Sequence, residues 1–205
     1  MIKERDVAIL KFINQFGFCE MPHLDRQFNL HKPYNYELLK KLINKGLIEH
    51  EPMFYQRHGI YRLTTEGAKH TNLPRLKKVP LWKYEHEMQL IQVYFELMRR
   101  YRQATWISER MLLRDKYCGG VGKTGHVADG LLIFPDDKKI AIEVELSLKG
   151  RDRSEKILKQ YSTQWGVDEV WYFCSDEVIG VIQELALKRP MIKVHHLKEW
   201  LSAKS

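Results

Sequence analysis

The sequence has few cysteines and lacks a long apolar segment. Its 205 residues include three cysteines, Cys19, Cys118 and Cys174, which are far apart and form no CxxC or Cys/His pattern. This spacing argues against a disulfide framework and against a structural zinc site. No apolar run approaches the roughly 20 residues that span a bilayer, and the opening "MIKERDVAIL" lacks the apolar core of a secretory signal. We therefore expect a cytoplasmic protein that does not enter a membrane.

The stretch "GGVGKT", residues 119–124, is similar to a phosphate-binding loop but lacks its essential parts. Such a loop needs a glycine at the position of Tyr117 or a lysine at that of Cys118, and it leads from a buried strand into a helix. Gly125 would interrupt that helix. We therefore expect no nucleotide partner and interpret the stretch as a loop in which Lys123 contacts DNA.

The charge is unbalanced in favour of basic residues. The 34 Lys and Arg against 26 Asp and Glu give a formal charge of +8, which favours a polyanionic partner such as nucleic acid. The length suits two small domains, and we place them at residues 1–70 and 84–205. Between them, residues 71–83 contain two prolines and four basic residues without sustained periodicity, as is typical of a linker.

The N-terminal pattern predicts three helices and then a hairpin. In "RDVAILKFINQFGFC" the residues Ile9, Leu10, Ile13 and Phe16 share one helical face, and Gly17 supplies a stop. A short helix is expected in "EMPHLDRQF" and a third in "KPYNYELLKKLINKGLIEH". The third helix is expected to turn its apolar residues inward, namely Leu38, Leu39, Leu42 and Ile43. Two strands, "GLIEHEPMF" and "GIYRLT", and a helix start in "TTEGAKH" follow.

This order resembles the winged helix-turn-helix DNA-binding domain, in which the third helix enters the major groove and the wing touches the backbone or minor groove. The expected DNA contacts are Lys32, Asn35, Tyr36, Lys40 and Lys41 on the third helix and Arg57 and His58 at the hairpin tip. The alternative is a winged helix that docks proteins, with these residues on its solvated surface.

The C-terminal pattern predicts a second, α/β domain. A long helix in "YEHEMQLIQVYFELMRRYRQA" precedes three strands, "TWISERMLL", "HVADGLLIF" and "KIAIEVELS". A helix, a strand, a helix and a strand complete the order. Alternating helices and strands predict a mixed sheet covered by helices, so the chain as a whole is α/β, of the α+β type.

The strand "KIAIEVELS" carries acids on one face. A period of two puts Glu143 and Glu145 on the face opposite Ile142. If the connection to the preceding strand has an odd number of residues, Asp129 lies opposite Glu143 on that same face. Three carboxylates would suit Mg²⁺ or Mn²⁺, which can polarise a phosphodiester and activate water. The alternative is an exposed strand face whose acids pair with Lys and Arg.

An Asp, a hairpin and then Glu-x-Glu resemble the PD-(D/E)xK nuclease superfamily and its restriction-endonuclease-like core. Ala128 stands where proline is usual, and Glu145 stands where lysine is usual. The resemblance implies that Asp129, Glu143 and Glu145 hold the metal, and Lys149 is a substitute for the missing lysine. On the preceding helix, Glu87 or its neighbour Glu85 would complete the site, and His86 is the nearest base.

Over nearly its full length, with "HVADG", "AIEVELSLK" and "ILKQY", the chain resembles the replication-relaxation family of plasmid proteins, which includes MobC-type relaxases. The resemblance implies metal-dependent, site-specific nicking of double-stranded DNA at a plasmid origin of transfer or replication, with coupling or accessory mobilisation proteins as further partners. The alternative is a non-catalytic DNA-binding regulator of plasmid replication or transcription.

Overall fold

The computed structural model describes residues 2–118, 126–148, 150–163 and 166–203. The chain divides into two compact units, Met1–Tyr84 and Glu85–Ser205. Each unit contains helices and a β-sheet, so the predicted mixture of α and β structure is confirmed. Within the described ranges, no helix has both the length and the apolar character that a membrane span requires.

The first unit consists of short helices around a three-stranded antiparallel sheet. Its elements are α1 (Glu4–Phe16), β1 (Phe18–Glu20), α2 (Met21–Phe28), α3 (Tyr34–Asn44), β2 (Ile48–Glu51), β3 (Ile60–Leu63) and α4 (Thr65–Ala68). The strand order is β1-β3-β2. The predicted helices and hairpin are present. The strand β1 was not predicted because three residues are too few to show a period of two.

The apolar faces of α1 and α3 build the core of this unit. Ile9, Leu10 and Ile13 are fully buried, and Gly17, with a positive φ of 84°, ends α1. On α3 the buried stripe runs through residues 35, 38, 39 and 42. Ile43 lies at the edge of that stripe and is exposed, so the prediction that it faces inward was wrong.

The remaining elements belong to the second unit, except that residues 81–84 at the start of α5 are counted in the first. They are α5 (Leu81–Arg100), β4 (Thr105–Ser108), α6 (Glu109–Cys118), β5 (Gly130–Ile133), β6 (Lys139–Glu145), α7 (Arg151–Thr163), β7 (Glu169–Cys174), α8 (Ile179–Ala186), β8 (Ile192–His196) and α9 (Leu197–Ser202). The first helix begins at Leu81, so residues 81–83 of the predicted linker are helical.

Only the first half of the predicted strand "TWISERMLL" forms a strand. This strand ends at Ser108, and the second half of the stretch belongs to α6. Glu, Arg, Met and Leu are good helix formers, and this preference prevails where β4 ends. The backbone amide of Glu109 donates to the carbonyl oxygen of Asp129 at 3.0 Å, which ties the start of α6 to the start of β5.

The five strands form one mixed sheet in the order β4-β5-β6-β7-β8. The pairs β4/β5 and β5/β6 are antiparallel, and β6/β7 and β7/β8 are parallel. The central strand β6 is buried from Ile140 to Glu145, so both of its faces are covered. Ala141 belongs to a core cluster with Leu158 and Tyr161 of α7 and Ile182 of α8. Side chains alternate along a strand, so Glu143 and Glu145 share this helix-covered face.

Candidate active site

The register of β5 and β6 places Asp129 in line with Glu143. Gly130 pairs with Ile142 and Ile133 pairs with Lys139, which leaves the odd-numbered connection 134–138 between the strands. Asp129 immediately precedes β5 and therefore continues the ladder opposite Glu143. The predicted juxtaposition of these two residues is confirmed. Gly130 is needed beside them, because a Cβ there would meet the Trp106 ring at 2.0 Å.

Besides Glu96, which accepts hydrogen bonds from Arg99, four carboxylate side chains are buried among the described residues of this unit. Asp129, Glu143, Glu145 and Glu87 have relative exposures of 8%, 3%, 6% and 5%. The alternative prediction of an exposed strand face is therefore wrong, because α7 and α8 cover that face. Burying a carboxylate in its charged form is costly unless hydrogen bonds or a cation compensate it. The hydrogen-bond partners and charged neighbours of each acid therefore determine whether it is charged and whether it can bind a cation.

Glu143 lies within a hydrogen-bonded group that the sequence did not predict. Its Oε1 accepts a hydrogen bond from the Tyr161 hydroxyl and lies 2.5 Å from Nε2 of His126. Burial raises the pKa of Glu143, and the neighbouring carboxylate of Asp129 raises it further. The contacts with His126 and Tyr161 oppose that shift without cancelling it.

Asp129 is held by the backbone of β6 and by a histidine of α5. Its Oδ2 accepts the backbone amide of Val144 at 2.8 Å and lies 3.1 Å from Nε2 of His86. The same ring nitrogen is 3.1 Å from the carbonyl oxygen of Val144. Both oxygens accept, so Nε2 of His86 carries the hydrogen. The structure thus brings His86, the base proposed from the sequence, to one of the predicted ligands.

Tyr172 of β7, which pairs with Glu143 in the sheet, lies near the three acids. Burial raises the pKa of its hydroxyl, and Glu143, Glu145 and Asp129 each raise it further. Burial also raises the pKa of Cys174 to about 12, with a contribution from Glu145. Glu145 thus lies near the Cys174 side of the site, in keeping with its pairing with Cys174 in the sheet.

Glu87 stands in a different environment from the other acids. Burial lowers the pKa of the Arg110 guanidinium on α6, and the nearby Glu87 and Glu109 oppose that shift. Oε1 of Glu87 is 3.9 Å from Nδ1 of His86. Glu87 therefore has a cationic neighbour that the sequence did not predict, because the pattern around Arg110 predicts a strand and not the helix α6. Glu85, the alternative on the same helix, is exposed.

His126 and Tyr161 are the residues of this site that sequence reasoning missed. Both lie in stretches that carried the family resemblance, "HVADG" and "ILKQY". Tyr161 follows the buried Leu158 at a spacing of three, which puts both on one helical face. That periodicity was visible in the sequence, whereas the contact of His126 with Glu143 depends on the register of β5.

A metal ion would find suitable donor atoms here but no preformed cage. Among the described residues, no group of three or more His, Cys, Asp or Glu side chains is arranged to hold a metal ion. Mg²⁺ is usually bound by one or two carboxylates together with waters and substrate phosphates, so a pair of carboxylates is sufficient. Asp129 and Glu143 provide such a pair. Lys149, the candidate substitute for the usual lysine, and Lys123 lie outside the described residues.

In the first unit, most of the residues predicted to contact DNA are on the surface. The exposed ones are Lys32, Tyr36, Lys40, Lys41, Arg57 and His58. Asn35 is an exception, because it is buried and its Nδ2 donates to both carboxylate oxygens of Asp25, at 3.0 and 2.9 Å. Its Oδ1 accepts the backbone amide of Tyr36 at 2.8 Å. The prediction that Asn35 contacts DNA was therefore wrong.

Comparisons with protein-family models, with curated proteins and with solved structures find no match to this chain. Two features of the molecule bear on its function. One is the cluster of buried carboxylates in the second unit, and the other is the basic surface of the first.

Proposed function

We propose that this chain is a divalent-metal-dependent endonuclease that nicks double-stranded DNA at a specific site, such as a plasmid origin of transfer or replication. The observation that carries the proposal is the burial of Asp129 beside Glu143. Burial raises the pKa of Glu143 and repulsion by the Asp129 carboxylate raises it further, and a bound cation would offset both effects.

For the second unit we propose the restriction-endonuclease-like fold. Its element order and its sheet, antiparallel on one side of β6 and parallel on the other, are compatible with that core. Asp129 before β5 and Glu143 within β6 would then occupy the acidic positions of the PD-(D/E)xK motif. Glu145 stands at the usual lysine position, so either Glu145 or Lys149 would take that role.

The proposed metal is Mg²⁺ or Mn²⁺, with Asp129 and Glu143 as its primary ligands and Glu145 and Glu87 as further candidates. When bound, it would polarise the phosphodiester and lower the pKa of a water molecule. The residues around the ligands have positioning roles. Tyr161 and His126 fix the Glu143 carboxylate, and His86 and the amide of Val144 fix that of Asp129.

For the first unit we propose the winged helix-turn-helix fold and binding to double-stranded DNA. The helix α3 would enter the major groove and the β2–β3 hairpin would be the wing. Lys40 and Lys41 are exposed on α3 and suit phosphate contacts, and Arg57 and His58 are exposed at the hairpin tip. Coupling or accessory mobilisation proteins are the further partners that this function implies.

A second candidate function is a DNA-binding regulator without catalytic activity. It is favoured by the absence of a three-ligand group among the described residues and by the histidine and tyrosine contacts of the acids. In that case the carboxylates would have a structural role, in which His86 is the hydrogen-bond partner of Asp129 and His126 that of Glu143.

Relaxation of supercoiled DNA separates the two candidates. A library of supercoiled plasmids that carry transfer and replication origins is incubated with the full chain and Mn²⁺. Under the main proposal, the wild type nicks a subset of the library and Asp129→Asn does not. Asp136→Asn is the matched control, because Asp136 is exposed on the β5–β6 connection. Persistence of the supercoil with normal binding by the wild type would favour the regulator.

A further inference from the structure

We propose that Tyr55, at the tip of the β2–β3 hairpin, stacks on an unpaired base, so that the first unit binds locally opened DNA more tightly than fully paired duplex. The inference rests on the DNA binding proposed above and deepens it, because it names the form of DNA that the hairpin recognises. Tyr55 is not among the DNA contacts predicted from the sequence.

The tip displays this ring prominently. Tyr55 is 91% exposed, and Arg57 and His58 beside it are also exposed. Residues 52–59 contain no acidic side chain. Among the described large hydrophobic side chains Tyr55 is the most exposed, and the Arg57 cation near it favours an anionic partner.

The ring next to Tyr55 ties the tip to the core. Phe54 packs edge-on against Tyr84, the last residue of this unit, with ring centroids 4.8 Å apart. Tyr84 in turn stacks on the buried Phe18 at 6.0 Å with an interplanar angle of 13°. The Arg57 guanidinium lies 5.7 Å from the Phe54 centroid and 6.0 Å from that of Tyr84. Tyr55 is thus presented from an anchored base, which reduces the conformational entropy lost on binding.

Pairs of a cation and an aromatic ring recur elsewhere on the surface of this unit. Arg5 lies 5.4 Å from the centroid of Tyr34, and Lys32 lies 5.8 Å from that of Tyr36. Both tyrosines are exposed. Aromatic rings alternating with cations are the combination that binds single-stranded nucleic acid, because rings stack on bases while cations contact phosphates. This favours a nucleic acid over a protein as the partner of this unit, and the tip with its exposed Tyr55 and Arg57 is part of the same unit.

The partner base is expected to be unpaired. In a duplex each base is already stacked on its neighbours, and a protein ring gains access only at the cost of unstacking and unpairing. A mismatched or single-stranded base offers its face without most of that cost. Tyr55 is exposed on the connection 52–59 between β2 and β3, where its ring is accessible to such a base.

The test compares two DNA molecules that share one strand, a fully paired duplex and one with a short mismatched bubble, by fluorescence anisotropy with the full chain. We expect the wild type to prefer the bubble. Tyr55→Ala should weaken bubble binding about tenfold, within the range for loss of one base–aromatic stack, and leave duplex binding unchanged. Tyr55→Phe keeps the ring and should keep the preference. Trp82→Ala removes another ring of this unit, 82% exposed, and should also keep it.

A 2-aminopurine in the bubble gives an independent readout, since its fluorescence should be quenched by the wild type and by Tyr55→Phe but not by Tyr55→Ala. Equal affinity of the wild type for the two DNAs, or a preference that survives Tyr55→Ala, would overturn the stacking while leaving DNA binding intact. Either of these results is also expected if the tip docks a protein. Absence of salt-sensitive binding to either DNA would overturn both the stacking and the proposed DNA binding, whereas a failure of nicking alone would affect only the catalytic proposal.

Discussion

The hydroxyl of Tyr161 on α7 donates a hydrogen bond to Oε1 of Glu143 on β6, and both side chains are almost completely buried. This bond links the helix that covers the sheet to the strand that carries the acids. It also compensates part of the cost of burying a carboxylate.

Tyr161→Phe removes this donor and keeps the ring. The loss leaves a buried carboxylate oxygen with one donor fewer, so the free energy of unfolding should fall by about 1–3 kcal/mol at neutral pH. Urea denaturation measures the difference. Tyr55→Phe, on a ring exposed to solvent, is the control and should unfold like the wild type. An unchanged midpoint for Tyr161→Phe would mean that the hydrogen bond does not stabilise the site.

Glu143→Gln should change how stability depends on pH. Burial and Asp129 raise the pKa of Glu143 above its ordinary value of 4.5, so the folded chain holds that proton more tightly than the unfolded chain does. Protonated Glu143 therefore contributes to the stability of the folded chain. This contribution is complete at a pH below the pKa of Glu143 in the unfolded chain, and it is lost as the pH rises through the higher pKa of Glu143 in the folded chain. Without metal, Glu143→Gln should therefore lose less stability than the wild type between pH 4.5 and neutral pH.

Thermal melting at the two ends of that range measures the effect. Glu177→Gln, on an exposed glutamate, should follow the wild-type pH dependence. If Glu143→Gln also shows the wild-type pH dependence, the charge of Glu143 does not destabilise the folded chain.

How far the sequence predicts this site depends on the range of the contacts involved. The pairing of Asp129 with Glu143 follows from two local rules, alternation along a strand and the parity of the 134–138 connection. The contacts of His126 and Tyr161 with Glu143 depend on how β5 and α7 pack in three dimensions, which no local period encodes. Arg110 was missed for a different reason, because apolar residues led α6 to be predicted as a strand.

Asn35 illustrates the same limit in the first unit. A polar residue at the start of a basic helix suggested a base contact, but the buried stripe of α3 passes through it. Asn35→Ala removes both hydrogen bonds to Asp25 and should lower the free energy of unfolding by about 1–3 kcal/mol. Asn44→Ala, at the exposed end of the same helix, should have little effect on stability. Equal stability of the two variants in chemical denaturation would contradict the structural role of Asn35.

Lys40→Ala and Lys41→Ala should weaken binding to all DNA sequences alike. Each lysine that neutralises a phosphate releases counterions on binding, so each substitution should reduce the slope of log affinity against log salt by roughly 1. Anisotropy titrations over a series of salt concentrations give that slope. Lys188→Ala changes an exposed lysine of the second unit and should leave it unchanged. Unaltered slopes for both α3 variants would place the DNA contacts elsewhere.

The metal site that the proposed nuclease requires is tested most directly by anomalous diffraction from a crystal of the full chain grown with Mn²⁺ and a short DNA duplex. We predict a manganese peak between the carboxylates of Asp129 and Glu143, and a melting temperature that Mn²⁺ raises in the wild type but not in Asp129→Asn. The absence of a peak at saturating Mn²⁺, with His86 still on Asp129 and His126 still on Glu143, would contradict metal-dependent cleavage by this protein.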